Sequence, residues 1–308
     1  MDNYLLLPKA LASAVFYGCF AGAVGALLAR LWLGESDDAE PLRRQLRACA
    51  AACSAVMAAV LPVQLCLLTA AMLATTETAQ VRAMLPEVLT GTHAGRVLVP
   101  AFALALLLLC ITLVGPLWRR SGGVWASLGV AAALALVRSA SGHASSDGDF
   151  TLREAVQSVH LASIAVWAGG VMVAGWLVLT KLKKHAALVT TFGRRLSATV
   201  TWALPLIVLS GTYNAWQGLG GAAEFHRKTL WSGLAHSQWG LLLSGKSALV
   251  GVALLLGLRN RWLLRGRETL SEADTASLVG SMRWEALVMA AILLVTGALA
   301  NSPPAMGQ

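Results

Sequence analysis

Two residue types stand out in this chain because membrane-like sequence rarely tolerates them. The run SVHLASIAVWAGGVMVAGWLVL, residues 158–179, is apolar enough to cross a bilayer yet carries His160, Ser163, Trp167 and Gly170. Those four share one broad face of a helix, and polar groups inside a membrane usually face the bundle interior and mark function. His160 can be a metal ligand, imidazole being the commonest one, or a histidine hydrogen-bonded to a neighbouring helix. His143 lies just upstream in SGHASSDGDF with Asp147 and Asp149. Together with His160 it makes the first candidate for an ion site. The second anomaly is Lys246, about nine residues into the apolar run that starts at Gln238, with Trp239 one heptad earlier on the same face. A charge near mid-bilayer costs at least ~2.5–3.5 kcal/mol on insertion scales. Lys246 is either a fixed positive charge inside the bundle or a side chain that snorkels to the surface.

Sulfur supplies a third candidate. Cys49, Cys53 and Met57 recur at i, i+4 and i+8, a stripe of soft ligands of the kind that favours Cu(I); Cys and Met also serve as ordinary fillers of membrane helices. SGTYNAWQG, residues 210–218, gives a polar and aromatic rim in which Tyr213 and Trp216 suit an interfacial belt and Asn214 has no such explanation. His226 and His236 follow in the next loop, and His93 precedes the third span. No GxSxG, P-loop, HExxH or dinucleotide fingerprint is present, so no enzyme activity is expected.

The elements that must position these residues follow from composition. The 308 residues are 57% hydrophobic and only 13% charged, against about 25% charged in soluble domains. Runs of roughly 20 apolar residues recur along the chain, so the expected fold is all-α, a polytopic membrane helix bundle in one domain over residues 1–308. Eight spans are expected, at about 5–33, 48–73, 96–117, 124–138, 156–180, 196–217, 238–258 and 284–300. The fifth opens with a capping box, Thr151 to Glu154, which puts His160 ~13 Å along the helix. The outer loops are expected to be short. The five cysteines fall in apolar runs and form no disulfide framework. The N-terminus lacks a basic n-region, so its apolar run is expected to be a retained helix.

Net charge is +9, but the basic residues sit on alternate loops: Arg30 to Arg47, Arg119 and Arg120, Lys181 to Arg195, and Arg259 to Arg283. By the positive-inside rule these loops are cytoplasmic and both termini lie on the outer side, the periplasm in a bacterium. No basic tail accompanies them, so no nucleic-acid partner is expected; the partner is the lipid bilayer. Of the six histidines only His185 falls on the basic side, so a metal would be met from outside.

In order, SGHA, HLASIAVWAGG, FGRRLSATV, SGTYNAW, WGLLLSGKSALVGVALLLGLRNR and TGALANSPPA resemble the CopD family of bacterial copper-resistance inner-membrane proteins over residues 139–305. The first four spans agree only in character. Leu196-Ser197 stands where the family usually has Phe-Ser, and Trp239-Gly240 where it often has Tyr-Gly. The resemblance implies a multi-pass protein of the cytoplasmic (inner) membrane that transports copper, inward, with a small periplasmic copper-binding protein of the CopC type as donor, serving copper homeostasis or resistance. It carries onto His143, His160, Trp167, Gly170, Asn214, Lys246 and Asn260 as family-like positions. Two other readings of the residues stand beside it. One is a haem-b electron-transfer protein, with histidines as axial ligands and Lys246 or Arg138 paired with a propionate. The other is a non-transporting partner that docks the periplasmic copper chaperone.

Overall fold

The computed structural model describes residues 3–34, 39–140, 151–219 and 234–303, and among these every regular element is helical. In chain order the helices are α1 (Leu6–Leu33), α2 (Glu40–Leu73), α3 (Thr78–Gly91), α4 (His93–Leu113), α5 (Gly115–Arg119), α6 (Ser121–Ser139) and α7 (Leu152–Val173). A π-helical turn (Ala174–Val178) joins α7 to α8 (Leu179–Leu182), followed by α9 (Ala186–Gly218), α10 (Gln238–Leu264) and α11 (Glu272–Leu299). Eight of these segments are long and apolar enough to span a membrane, counting α7, the π turn and α8 as one. They match the eight expected spans, most with longer ends: α2 starts at Glu40 and α11 at Glu272, because amphipathic turns carry each helix beyond its apolar run, whereas the third, expected to reach residue 117, stops at Leu113 where the chain turns into α5. The expectation of short outer loops fails between α2 and α4. There the chain folds a further 14-residue helix, α3, packed on both neighbours.

α1 is the centre of the bundle. It packs against α2, α7 and α11, and also against α6 and α9. Its sequence explains this: AGAVGALLA, residues 21–29, presents small residues that let backbones approach. A Cβ on Gly169 of α7 would stand 1.9 Å from the Ala21 carbonyl oxygen, and one on Gly25 would stand 2.1 Å from the Gly169 oxygen. At the far end of the bundle a Cβ on Gly297 of α11 would stand 2.4 Å from the Ala10 oxygen. There Asn301 ties α11 to α1 by donating to Ser13 Oγ (2.9 Å) and the Lys9 carbonyl (3.3 Å). The outward faces are apolar, with Trp202, Leu209, Leu255 and Trp284 all largely exposed, as lipid-facing surface should be.

The arginines of the basic end act on helix termini. A helix leaves its last carbonyls without partners, and cations there also oppose the macrodipole. Arg43 donates to the Gly34 carbonyl (2.9 Å), Arg195 to that of Trp32, Arg30 to that of Arg119 (3.0 Å), and Arg47 to those of Thr112 (2.9 Å) and Leu113. The loops named by their charge therefore gather at one end of the bundle, as alternate loops of a spanning chain must.

Candidate functional site

The first site is built on α7. Thr151 caps it, accepting from the Glu154 N–H at 3.3 Å, which is half of the expected capping box; the Glu154 side chain is buried. Two turns on, Gln157 and His160 face α9. Asn214 donates to Gln157 Oε1 (2.8 Å), and His160 Nδ1 lies 2.9 Å from Ser210 Oγ. Ser210 donates its one hydroxyl proton to the Leu206 carbonyl. With that proton on Leu206 the imidazole donates from Nδ1, and no described residue hydrogen-bonds its Nε2, the arrangement of a metal-ligating histidine held by an outer partner. The ring lies over Gly211, where a Cβ would come within 3.0 Å of His160 Cε1.

His160 lines a cavity of about 550 Å³ between α1, α6, α7, α9, α10 and α11. Asn214, Lys246 and Trp239 line it as well, so the heptad spacing brings Trp239 and Lys246 to one cavity. Trp239 is seated on Gly218, whose Cβ would overlap the indole at 2.4 Å. Arg138 and Arg153 are the other charged members of the wall, and Arg138 stacks over Phe16 at 4.6 Å. No acidic residue, Cys or Met lines this cavity among the described residues. It is therefore a basic chamber with one metal-competent histidine.

The remaining histidines do not join it within the described residues. His93 begins α4 and donates from Nε2 to the Ala140 carbonyl at 2.9 Å, linking α4 to the end of α6. His236 is exposed ahead of α10 and does not line the cavity. His143 and His226, with Asp147 and Asp149, lie outside the described residues. Among the described residues no group of three or more His, Cys, Asp or Glu is arranged to hold a metal ion.

The sulfur stripe changes membership. Cys49 and Cys53 are half-buried, and Cys53 is hydrogen-bonded both to Cys49 and to Cys19 of α1. Gly22 makes this possible, since a Cβ there would stand 2.9 Å from Cys53 Sγ. Met57 is fully buried in the core.

A second polar site lies further along α7. Trp167 and Asn260 both hydrogen-bond the carboxylate of Glu285, Asn260 Nδ2 at 2.8 Å from Oε2. Glu285 is 2% and Asn260 4% exposed, and Asn260 Oδ1 is buried without a partner. All three line a cavity of about 420 Å³ with Met282 and Arg261. Gly170 supports this region by leaving room for Leu196 Cδ1 and Trp32. Trp167 and Asn260 were legible in the sequence. Glu285 was not, because the apolar run starts beside it and made it look like a span edge; α11 in fact starts at Glu272. Its signal was a lone carboxylate in WEALVMAAILLV.

Comparison with known proteins adds to this geometry. The family model described as Copper resistance protein D matches residues 190–299, and that described as Copper resistance protein D-like, N-terminal domain matches residues 5–152. The second match covers the spans that had resembled the family only in character. No curated protein and no solved structure matches the chain.

Proposed function

Because this chain belongs to the copper resistance protein D family, N-terminal domain included, we propose that it carries copper inward across the bacterial cytoplasmic membrane, its termini on the periplasmic side. The observation that carries the reading is His160. Its Nδ1 is tied to Ser210, and no described residue hydrogen-bonds its Nε2 beside a 550 Å³ chamber. The basic wall refines the reading. Arg138, Arg153 and Lys246 repel a free divalent cation, so copper passes to His160 from a donor that shields its charge. A periplasmic copper-binding protein of the CopC type fits that role. Cys49 and Cys53, joined by Cys19, offer soft sulfur for Cu(I) further along. His160→Ala should lower copper accumulation in cells, and accumulation equal to wild type would overturn the role given to His160.

The same chamber supports a second reading. Its apolar walls, single described histidine and basic side chains suit haem b, with the histidine as an axial ligand and Lys246 or Arg138 beside a propionate. A Soret band that survives purification and disappears in His160→Ala would favour haem over copper. A third reading, docking of the chaperone without transport, predicts no copper flux in proteoliposomes that contain this chain alone.

A further inference from the structure

Glu285 is a carboxylate placed where a membrane protein puts one only for a purpose, and nothing so far uses it. Its oxygens are held by two donors, Asn260 Nδ2 and Trp167 Nε1. Oε1 faces Gly257, where even a Cβ would come within 3.3 Å. The Asn260 amide is thereby oriented with Oδ1 turned away from Glu285, buried and without a partner. A buried acceptor of this kind demands a donor, and the cavity beside it has room for water.

The unpartnered groups continue along α11. Ser281 Oγ, one turn before Glu285, and Thr275 Oγ1, near the start of the helix, are both buried without a partner. At ~1.5 Å rise per residue they lie ~6 Å and ~15 Å from Glu285 along the axis. Ser281, four residues before Glu285, shares a face of α11 with it, whereas Thr275 falls on another face; neither lines the cavity. A water bridges polar groups about one turn apart, which makes Ser281 the nearest relay for Glu285.

The chemistry of the pair selects the ligand. Two oxygens are too few for a hard metal ion, which takes six or more. A soft ion prefers sulfur or imidazole. Arg261 lines the same cavity, donating to Thr201 Oγ1, so a second fixed cation is unwelcome. The other groups facing the site are neutral: Trp167 from α7, Asn260 from α10, and Ser197 and Thr201 from α9. Arg30 of α1 is bound to the Arg119 and Gly34 carbonyls, and Arg283 is exposed on the other side of α11. A proton needs only one carboxylate.

We propose that Glu285 is the proton-exchanging group of this protein, loading and unloading through water in the cavity beside it, with Asn260 and Ser281 as its nearest relays. In the unloading step the Glu285 O–H bond breaks and the proton passes to a bridging water. The carboxylate left behind is held by Asn260 Nδ2 and Trp167 Nε1. Reloading reverses the step. Coupling this exchange to cargo rests on the copper-transport reading; the exchange itself does not.

The test uses the full chain in proteoliposomes loaded with Cu(I), with an imposed pH gradient. For one coupled proton, a one-unit gradient should change copper accumulation about tenfold. Glu285→Gln, which keeps size and shape, should still accumulate copper yet ignore the gradient; a Glu285→Gln response equal to wild type overturns the proposal. Ser281→Ala should slow the response while leaving its final extent, and an unchanged rate removes Ser281 from the proposal. If the wild type moves no copper, the transport reading fails and infrared spectroscopy of the purified chain decides about the proton. A protonated-carboxyl band that disappears as pH rises, and is missing in Glu285→Gln, supports the exchange. A wild-type spectrum identical to that of Glu285→Gln overturns it.

Discussion

Gly211→Ala separates function from stability in this fold. A methyl at that position would lie 3.0 Å from His160 Cε1, and ordinary contact begins at 3.4 Å, so the imidazole must withdraw by about 0.4 Å or more. The withdrawal stretches the 2.9 Å bond from Nδ1 to Ser210 toward the limit of a useful hydrogen bond. Losing that bond costs about 0.5–1.5 kcal/mol. Replacing a helical glycine by alanine returns about 0.8–1.0 kcal/mol. Stability should therefore stay within about 0.5 kcal/mol of wild type. The site should not fare as well, because an outer hydrogen bond that fixes a ligating histidine is worth 10-fold or more in metal affinity. Copper accumulation in cells should fall about tenfold while the melting temperature in detergent barely moves. Ser210→Ala, which removes the same acceptor without crowding the ring, should share the loss. Normal accumulation in both variants would refute the argument that the Ser210 contact sets the working tautomer of His160.

Other outcomes follow from the packing and charge. Gly169→Ala drives a methyl into the Ala21 carbonyl, backbone that cannot yield, and should cost about 1–3 kcal/mol; an unchanged melting temperature would contradict the α1–α7 contact. Arg47→Ala removes the donors at the end of α4 and should destabilise by about 1–2 kcal/mol, measured by denaturation in detergent. Lys246→Met lowers the positive charge of the chamber and should raise uptake of free copper ion severalfold, while delivery from a loaded donor protein changes little. Cys53→Ser should reduce the Cu(I) retained by the purified chain against a competing chelator, whereas Cys66→Ser, at an exposed cysteine, should not.

The spans were readable because apolar run length is a strong, local signal, and the basic loops alternate as a spanning chain requires. What escaped was set by contacts between distant segments. The face shared by His160 and Trp167 could be drawn on a helical wheel. A wheel could not say that His160 meets Ser210 while Trp167 meets Glu285, so one face on paper became two sites. Cys19 was invisible as a partner of Cys53 because α1 and α2 had to be placed side by side first. α3 was missed because its 14 residues carry too little apolar run to register as a span. Glu285 was hidden by its position at the apolar boundary, where a carboxylate reads as a helix end and not as a buried group.

The crossing of α1 with α7 and α11 also says something about how this protein is made. α1 leaves the ribosome before these partners, and although α2 covers Gly22, the backbone contacts of Ala21 and Gly25 have no final partner until α7 exists. The Ala10 region waits longer still, for Gly297 in α11. α1 and α11 close the bundle where they meet, with Asn301 fastening the seam to Ser13. During synthesis α1 must stay in the bilayer with that face covered only by lipid, which its apolar character permits and its small side chains make inexpensive. A chain cut before α11 would keep most of its spans and lack the closure, leaving the first helix of the bundle open to misassembly with another copy.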